Sequence, residues 1–143
     1  MFTFGRQQEL NHALASLRKP EQAALAAAVI DAVHDLLEGK STSAPFEAAV
    51  MHAFIDGGSG VWEKAGSWLR KTGFEFAQVN RVWTTLAAHE SATVRYRVAC
   101  FLDEMPAQEY AQVSAALGVD TSRKVAAMAR ARIEQVSSGR AAG

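Results

Sequence analysis

His12, His34 and His52 fall one on each of the first three expected helices, the arrangement from which a helical bundle can build a metal site. Asp31, three residues before His34, would add a carboxylate ligand. No two of these histidines have the one-helix spacing of HExxH, however, and no cysteine joins them, so no metal is assigned. Cys100 is the single cysteine; it sits between Ala99 and Phe101 in a small-residue stretch and reads as a buried, inert thiol. Asp103 and Glu104 stand at an expected helix end, and nothing makes them a matched acid and base. The run Asp56-Gly57-Gly58-Ser59-Gly60 lacks the Gly-Lys-Ser/Thr and the preceding strand of a phosphate-binding loop, and reads as a hinge or tight turn. The residues thus yield no catalytic group, no metal ligand and no cofactor. A non-enzymatic protein is expected.

The elements that carry these residues are helices. There is no alternation of β-branched and polar residues and no Asn-Gly or Asp-Gly hairpin turn. Gln8 to Leu17 places Leu10, Ala13, Leu14 and Leu17 on one face. Pro20 suits the first turn of a second helix that ends at Gly39, a natural left-handed cap. Pro45 opens a third, through FEAAVMHAFI. Beyond the glycine run the expected helices are Val61 to Lys71 closed by Gly73, then Phe74 to about His89. Another starts at Ser91 or Thr93 and ends near Glu104. A further helix is opened by Pro106 and closed at Gly118, and the last is capped by Asp120 or Thr121 and reaches about Val136.

Three of these segments, GVWEKAGSWL, TVRYRVACFL and KVAAMARARI, obey one spacing rule. Each sets apolar or small residues four apart: Val61, Ala65, Leu69; Val94, Val98, Leu102; Val125, Ala129, Ile133. Their starts lie 33 and 31 residues apart, the period of stacked helical hairpins. Leu86 precedes Val94, and Leu117 precedes Val125, by the same eight residues. Phe76-Ala-Gln-Val79 recurs as Tyr110-Ala-Gln-Val113, each in the second helix of a pair. Before Gly60 the register fails, because Ala53 stands where the two leucines stand.

At Ser91-Ala-Thr-Val-Arg-Tyr-Arg-Val-Ala-Cys-Phe-Leu the chain resembles the first helix of a HEAT or armadillo-like repeat. Val94, Arg95, Val98, Ala99 and Leu102 match that pattern in order. In the third segment Val125, Ala129 and Ile133 match while Ala126 replaces the arginine, and in the first Trp62 replaces it. The resemblance covers about 80 residues. It implies an all-α fold, a right-handed α-α superhelix of HEAT-like helical hairpins, preceded here by a short bundle-like N-terminal part. It also implies a concave face lined mainly by the second helices, and a protein-binding task without chemistry. In size and style the chain is similar to some bacterial immunity proteins, which neutralise a toxin by plugging its active site.

At 143 residues, 49% hydrophobic and 21% charged, the chain reads as one globular domain. Within it the expected parts are 1–58 (three helices), 61–137 (helical pairs) and 138–143 (a frayed tail). The longest apolar run, Ala23 to Ile30, is eight residues, too short to span a bilayer. MFTFGRQQEL shows no signal-peptide pattern, and a cytoplasmic location is expected. Net charge is zero, but residues 1–56 carry seven acids and four bases while residues 120–143 carry two acids and five bases.

The binding candidates are therefore surfaces. Trp62, at the position where the second unit has Arg95, is the aromatic expected to serve as an interface anchor. The polar face Glu75, Gln78, Arg81 and Thr85, its counterparts Gln108 and Gln112, and Arg123, Arg130 and Glu134 on the last helix complete the set. Lys124 and Arg132 flank that last face. The expected partner is another protein, most specifically a toxin domain that this chain blocks. The alternatives are a nucleic-acid binder using the basic last helix, with Arg123, Lys124, Arg130, Arg132 and Arg140 on phosphates, and a generic scaffold or adaptor subunit. No recognition motif accompanies the basic residues, which disfavours nucleic acid.

Overall fold

The computed structural model describes residues 5–142, with side chains from 5 to 139. Among the described residues there are eight α-helices and no strand: α1 (Arg6–Ser16), α2 (Pro20–Leu37), α3 (Ala44–Asp56), α4 (Val61–Glu75), α5 (Arg81–Ala87), α6 (Ala92–Ala99), α7 (Ala107–Leu117) and α8 (Arg123–Ala142). Short 3-10 turns cover Ala77–Asn80 and Leu102–Glu104. The all-α class read from the sequence holds. Among the described residues no helix is long and apolar enough to cross a membrane.

The chain forms two compact units, Met1–Val79 and Asn80–Gly143. The division falls inside the first helical pair expected from the sequence, beyond its first helix. In the first unit α2 is the centre: α1, α3 and α4 all pack on it, and α3 also packs on α4. Its core holds Val29, Ile30 and Val33 of α2, Phe46, Val50 and Phe54 of α3, and Val61, Ala65 and Leu69 of α4. Burying a leucine such as Leu69 stabilises by about 1.5–3 kcal/mol relative to leaving it exposed, which is why the i, i+4, i+8 stripe decides which face of α4 turns inward.

The turn between α3 and α4 is tight rather than hinge-like. A Cβ added at Gly57 would stand 2.2 Å from the Ala53 carbonyl oxygen and 2.7 Å from a Val61 methyl. Only hydrogen fits there. The Gly58 N–H donates to Gln22 Oε1 of α2 at 2.6 Å. Gly60, with φ at +90°, takes the left-handed conformation that glycine tolerates, and its N–H donates to Glu63 Oε1 at 2.9 Å. At the other end of α2, Gly39 has φ at +74°, the left-handed cap expected there.

The second unit is built from shorter helices: α5 packs on α6 and α7, and α8 packs on α6 and α7. The second and third stripes face its core. Val94, Val98, Leu102, Val125 and Ala129 are buried, as are Leu86 and Leu117 at the shared eight-residue offset; Ile133 is half-buried.

Four boundaries differ from the sequence reading. α4 runs through Gly73, which is buried in the helix, and breaks at Phe76; burial overrides the weak helix propensity of glycine. The next α-helix therefore begins at Arg81, after a 3-10 turn, and not at Phe74. α6 ends at Ala99, well before Glu104, and the chain leaves α geometry so that Phe101 and Leu102 both point inward; the Phe101 ring lies 5.4 Å from that of Trp83. α8 continues through Ser138 and Gly139 to Ala142, past the expected end near Val136, because no proline or left-handed glycine stops it.

Candidate functional site

The second helices of the two expected pairs, α5 and α7, lie side by side within the second unit. Their inner faces bury Val82, Trp83 and Leu86 on α5 and Val113 and Leu117 on α7. Where the two helices part at the surface they leave a shallow, open groove of about 230 Å3, lined by Thr84, Ala87, Ala88, Gln112, Val113 and Ala116. Four of the six are alanine or valine, so the floor is apolar and the walls are short. The Thr84 hydroxyl donates to the Arg81 carbonyl at 3.0 Å, and Thr85 does the same at 2.9 Å. Helix back-bonding of this kind spends the hydroxyl locally.

One carboxylate stands on the same stripe. Glu109 precedes Gln112, Val113 and Ala116 by three, four and seven residues, which on an α-helix is one face. Glu109 is half-buried, and its Oε2 is shielded from solvent with no hydrogen-bond partner among the described residues.

The turns flanking this groove are locked by Arg95. Its Nε and Nη2 donate to Asp120 Oδ2 and Oδ1 at 2.9 and 3.1 Å, a forked pair. Its Nη1 donates to the carbonyls of His89 and Glu90, each at 2.9 Å. Arg95 thus ties the α5–α6 turn to the α7–α8 turn. The Arg95 guanidinium holds the Asp120 carboxyl below its ordinary value, with the Ser122 N–H adding to the effect; Asp120 in turn raises Arg95. Asp120 is therefore not the cap of α8. Ser122 is, its Oγ accepting the Val125 N–H at 3.4 Å.

The residues expected to bind a partner are distributed over both units. In the first unit, Trp62 is half-buried, its ring centroid 6.2 Å from Phe54, so part of it packs and part stays at the surface. Glu75 and Gln78 are exposed. In the second unit Arg81, Thr85, Gln108, Gln112, Arg123, Arg130 and Glu134 are exposed. Only Gln112 of the whole set lines the groove. On α8 the cations are partly engaged: Arg130 Nε donates to the Gly118 carbonyl at 2.9 Å, Lys124 stands 5.5 Å from the Tyr96 ring centroid, and Arg132 lies 3.9 Å from Asp103. The side chain of Arg140 lies outside the described residues.

Two surface groups were not singled out by sequence. Phe74 is 81% exposed, although it follows a glycine in an apolar-looking stretch, and Val119 is 76% exposed in the α7–α8 turn. Glu109 is the third omission. Its place on the Gln112 stripe was legible; its missing partner was not.

The histidines do not converge. His12 is exposed on α1, His34 is buried on α2 with its ring 6.3 Å from Trp68, and His52 is exposed and 3.0 Å from Asp56. Among the described residues no three histidine, cysteine, aspartate or glutamate side chains are grouped to hold a metal ion.

Comparison with known protein families, with curated proteins and with solved structures finds no match to this chain.

Proposed function

We propose that this protein is a protein-binding module that acts by covering its partner, and most specifically that it is an immunity or inhibitor protein that blocks a toxin domain. The observation that carries the reading is the groove between α5 and α7, a short-walled apolar trough with polar residues at its margins. A side chain from a partner can enter such a trough without rearrangement of the host, and small walls let a partner backbone come close. The forked Arg95–Asp120 pair supports it by fixing the turns at the helix ends, since a pre-ordered surface loses less entropy on binding. The HEAT-like superhelix, with second helices lining the binding face, belongs to the same proposal.

The two units differ in charge. Met1–Val79 carries nine acids and seven bases, and Asn80–Gly143 carries six acids and eight bases. Complementary charge mainly raises association rates, so binding should be fast and salt-sensitive. The nucleic-acid reading draws less support, because Arg130, Lys124 and Arg132 each already have a neighbour.

The test is co-expression with the product of the adjacent open reading frame. A tight one-to-one complex, together with relief of growth arrest caused by that product alone, is the expected result. Two proteins that elute separately, with growth arrest unrelieved, would sink the immunity reading.

A further inference from the structure

We infer that the α7–α8 turn is a contact surface for an acidic segment of a partner protein, one that carries an apolar side chain between its carboxylates. The inference rests on the protein-binding reading and names a second face of the second unit, with the partner chemistry that fits it. Three observations meet at the turn. The first is an apolar side chain in water: Val119 is 76% exposed, although a polar residue would serve as well for reversing the chain. The second is that the backbone on both sides of Val119 is pinned. The Gly118 N–H donates to the Ser114 carbonyl at 3.0 Å, and the Gly118 carbonyl accepts from Arg130 Nε at 2.9 Å. The Asp120 N–H donates to the Leu117 carbonyl at 3.2 Å, and its carboxylate accepts from Arg95 and from the Ser122 N–H. Val119 is thus held outward by its neighbours.

The third observation is charge. Asp120, the carboxylate of the turn itself, is only 8% exposed and is taken up by Arg95. The exposed charges are cationic: Arg130, anchored at the Gly118 carbonyl, and Arg123 and Lys124, which open α8 directly after the turn. Glu134, four residues beyond Arg130, offsets that arginine in part. One helical turn beyond Arg123 and Lys124 stand Ala126, Ala127 and Met128, so no carboxylate of α8 offsets those two. A single exposed valine is ordinary on a protein surface. Here it is fixed in place beside accessible cations, so whatever covers it must bring its own groups up to Arg123 and Lys124. Carboxylates are attracted there, and lysine or arginine is repelled. A nucleic-acid backbone would use the cations and gain nothing from Val119. The pinned turn loses little entropy on being covered.

Isotope-labelled full chain is titrated with three synthetic peptides of equal length. One alternates leucine with pairs of Asp and Glu, one has serine for each leucine, and one has lysine for each acid. A single-stranded oligonucleotide is the fourth probe. The acidic leucine peptide is expected to bind best and to shift the amide signals of Gly118, Val119, Asp120 and Arg123, with binding that weakens as salt rises. Val119→Ser weakens it about tenfold, the scale of burying one such side chain, and Arg123→Glu removes the preference over the lysine peptide. Both positions are exposed, and melting curves confirm that each variant is folded. Equal binding of the leucine and serine peptides overturns the inference, as does preference for the lysine peptide or the oligonucleotide. So does the absence of shifts at the turn with any probe. The wider reading is decided separately by co-expression: a partner held as tightly by the Val119→Ser, Arg123→Glu double variant overturns the inference and leaves protein binding standing through another face.

Discussion

The two compact units of this chain hold themselves together by different means. In Met1–Val79 a single long helix, α2, is wrapped by three others, and close approach is made possible by a glycine with no room for a Cβ. At its surface Arg6 reaches Asp35 at 2.6 Å and Glu38 at 3.6 Å, and Lys40 reaches Glu38 at 2.8 Å, all among partly or largely exposed groups, while the buried Glu47 carboxylate accepts from Ser43 Oγ at 2.9 Å within one helix end. In Asn80–Gly143 the helices are shorter, and the polar tie is taken inside. Asp120 is 8% exposed and Arg95 15%, and their fork joins two turns that are far apart in sequence. The difference teaches that where a long apolar helix supplies the centre, ion pairs between helices such as Arg6–Asp35 can stay at the surface. A unit of short helices has more ends to hold, and commits a half-buried arginine to them.

The sharpest way to break this comparison is to remove the Trp83 side chain, fully buried in the second unit. Trp83→Ala should cost about 3–5 kcal/mol. Hydrogen exchange read by element should lose protection in α5 to α8 while α2 and α3 retain theirs. Equal loss in both would mean that the two units share one cooperative core. Next in size, Gly57→Ala forces a methyl against the Ala53 carbonyl and Val61, and should cost about 2–3 kcal/mol, seen as a lower denaturation midpoint with protection lost first in α3 and α4.

The ion pairs give the direct contrast. Asp120→Ala should cost about 2 kcal/mol, below the usual range for a fully buried pair because Arg95 keeps some contact with water. Arg6→Ala, which removes an exposed pair, should leave the thermal midpoint nearly where it was. A larger loss from Arg6→Ala than from Asp120→Ala would reverse the comparison. Acid adds a related test. The Asp120 carboxyl is held below its ordinary value by Arg95, so its stabilising contribution is present above a pH of about 4 and is lost as the pH falls below that, through the folded-state value. Lowering the pH from 5 to 3 should therefore strip protection from the second unit, and Asp120→Asn should flatten that part of the stability profile. Smallest of all, Phe74→Ser should move stability by less than about 0.5 kcal/mol, because the ring is almost wholly in water. A substantial loss there would show that Phe74 packs in solution.

Much of this was legible in the chain itself. Val61, Ala65, Leu69, Val94, Val98, Leu102, Val125 and Ala129 were picked out by spacing and are all buried, because a helix that presents one apolar face has only one way to hide it. Gly39 and Pro20 mark the ends of α2 for local steric reasons that no neighbour changes. Trp62 shows where such reasoning stops. Its position beside the stripe is compatible with projection or with packing, and Phe54 on another helix covers one part of the ring while the rest stays at the surface. Gly73 and Glu104 read as helix ends from their residue types, yet burial carried α4 past the first and drew the chain out of helix before the second.

The sequence by itself thus determined that the fold is all-helical, where most helices begin, and which faces turn inward, since these follow from backbone sterics and the period of apolar residues. The tertiary structure alone decided that Arg95 meets Asp120 rather than solvent, that Gln22 holds the Gly58 turn, and that Ala87, Ala88, Val113 and Ala116 share a groove. Each of those pairings joins residues from different elements. Residue types permit many such meetings, and the three-dimensional packing of the helices selects among them.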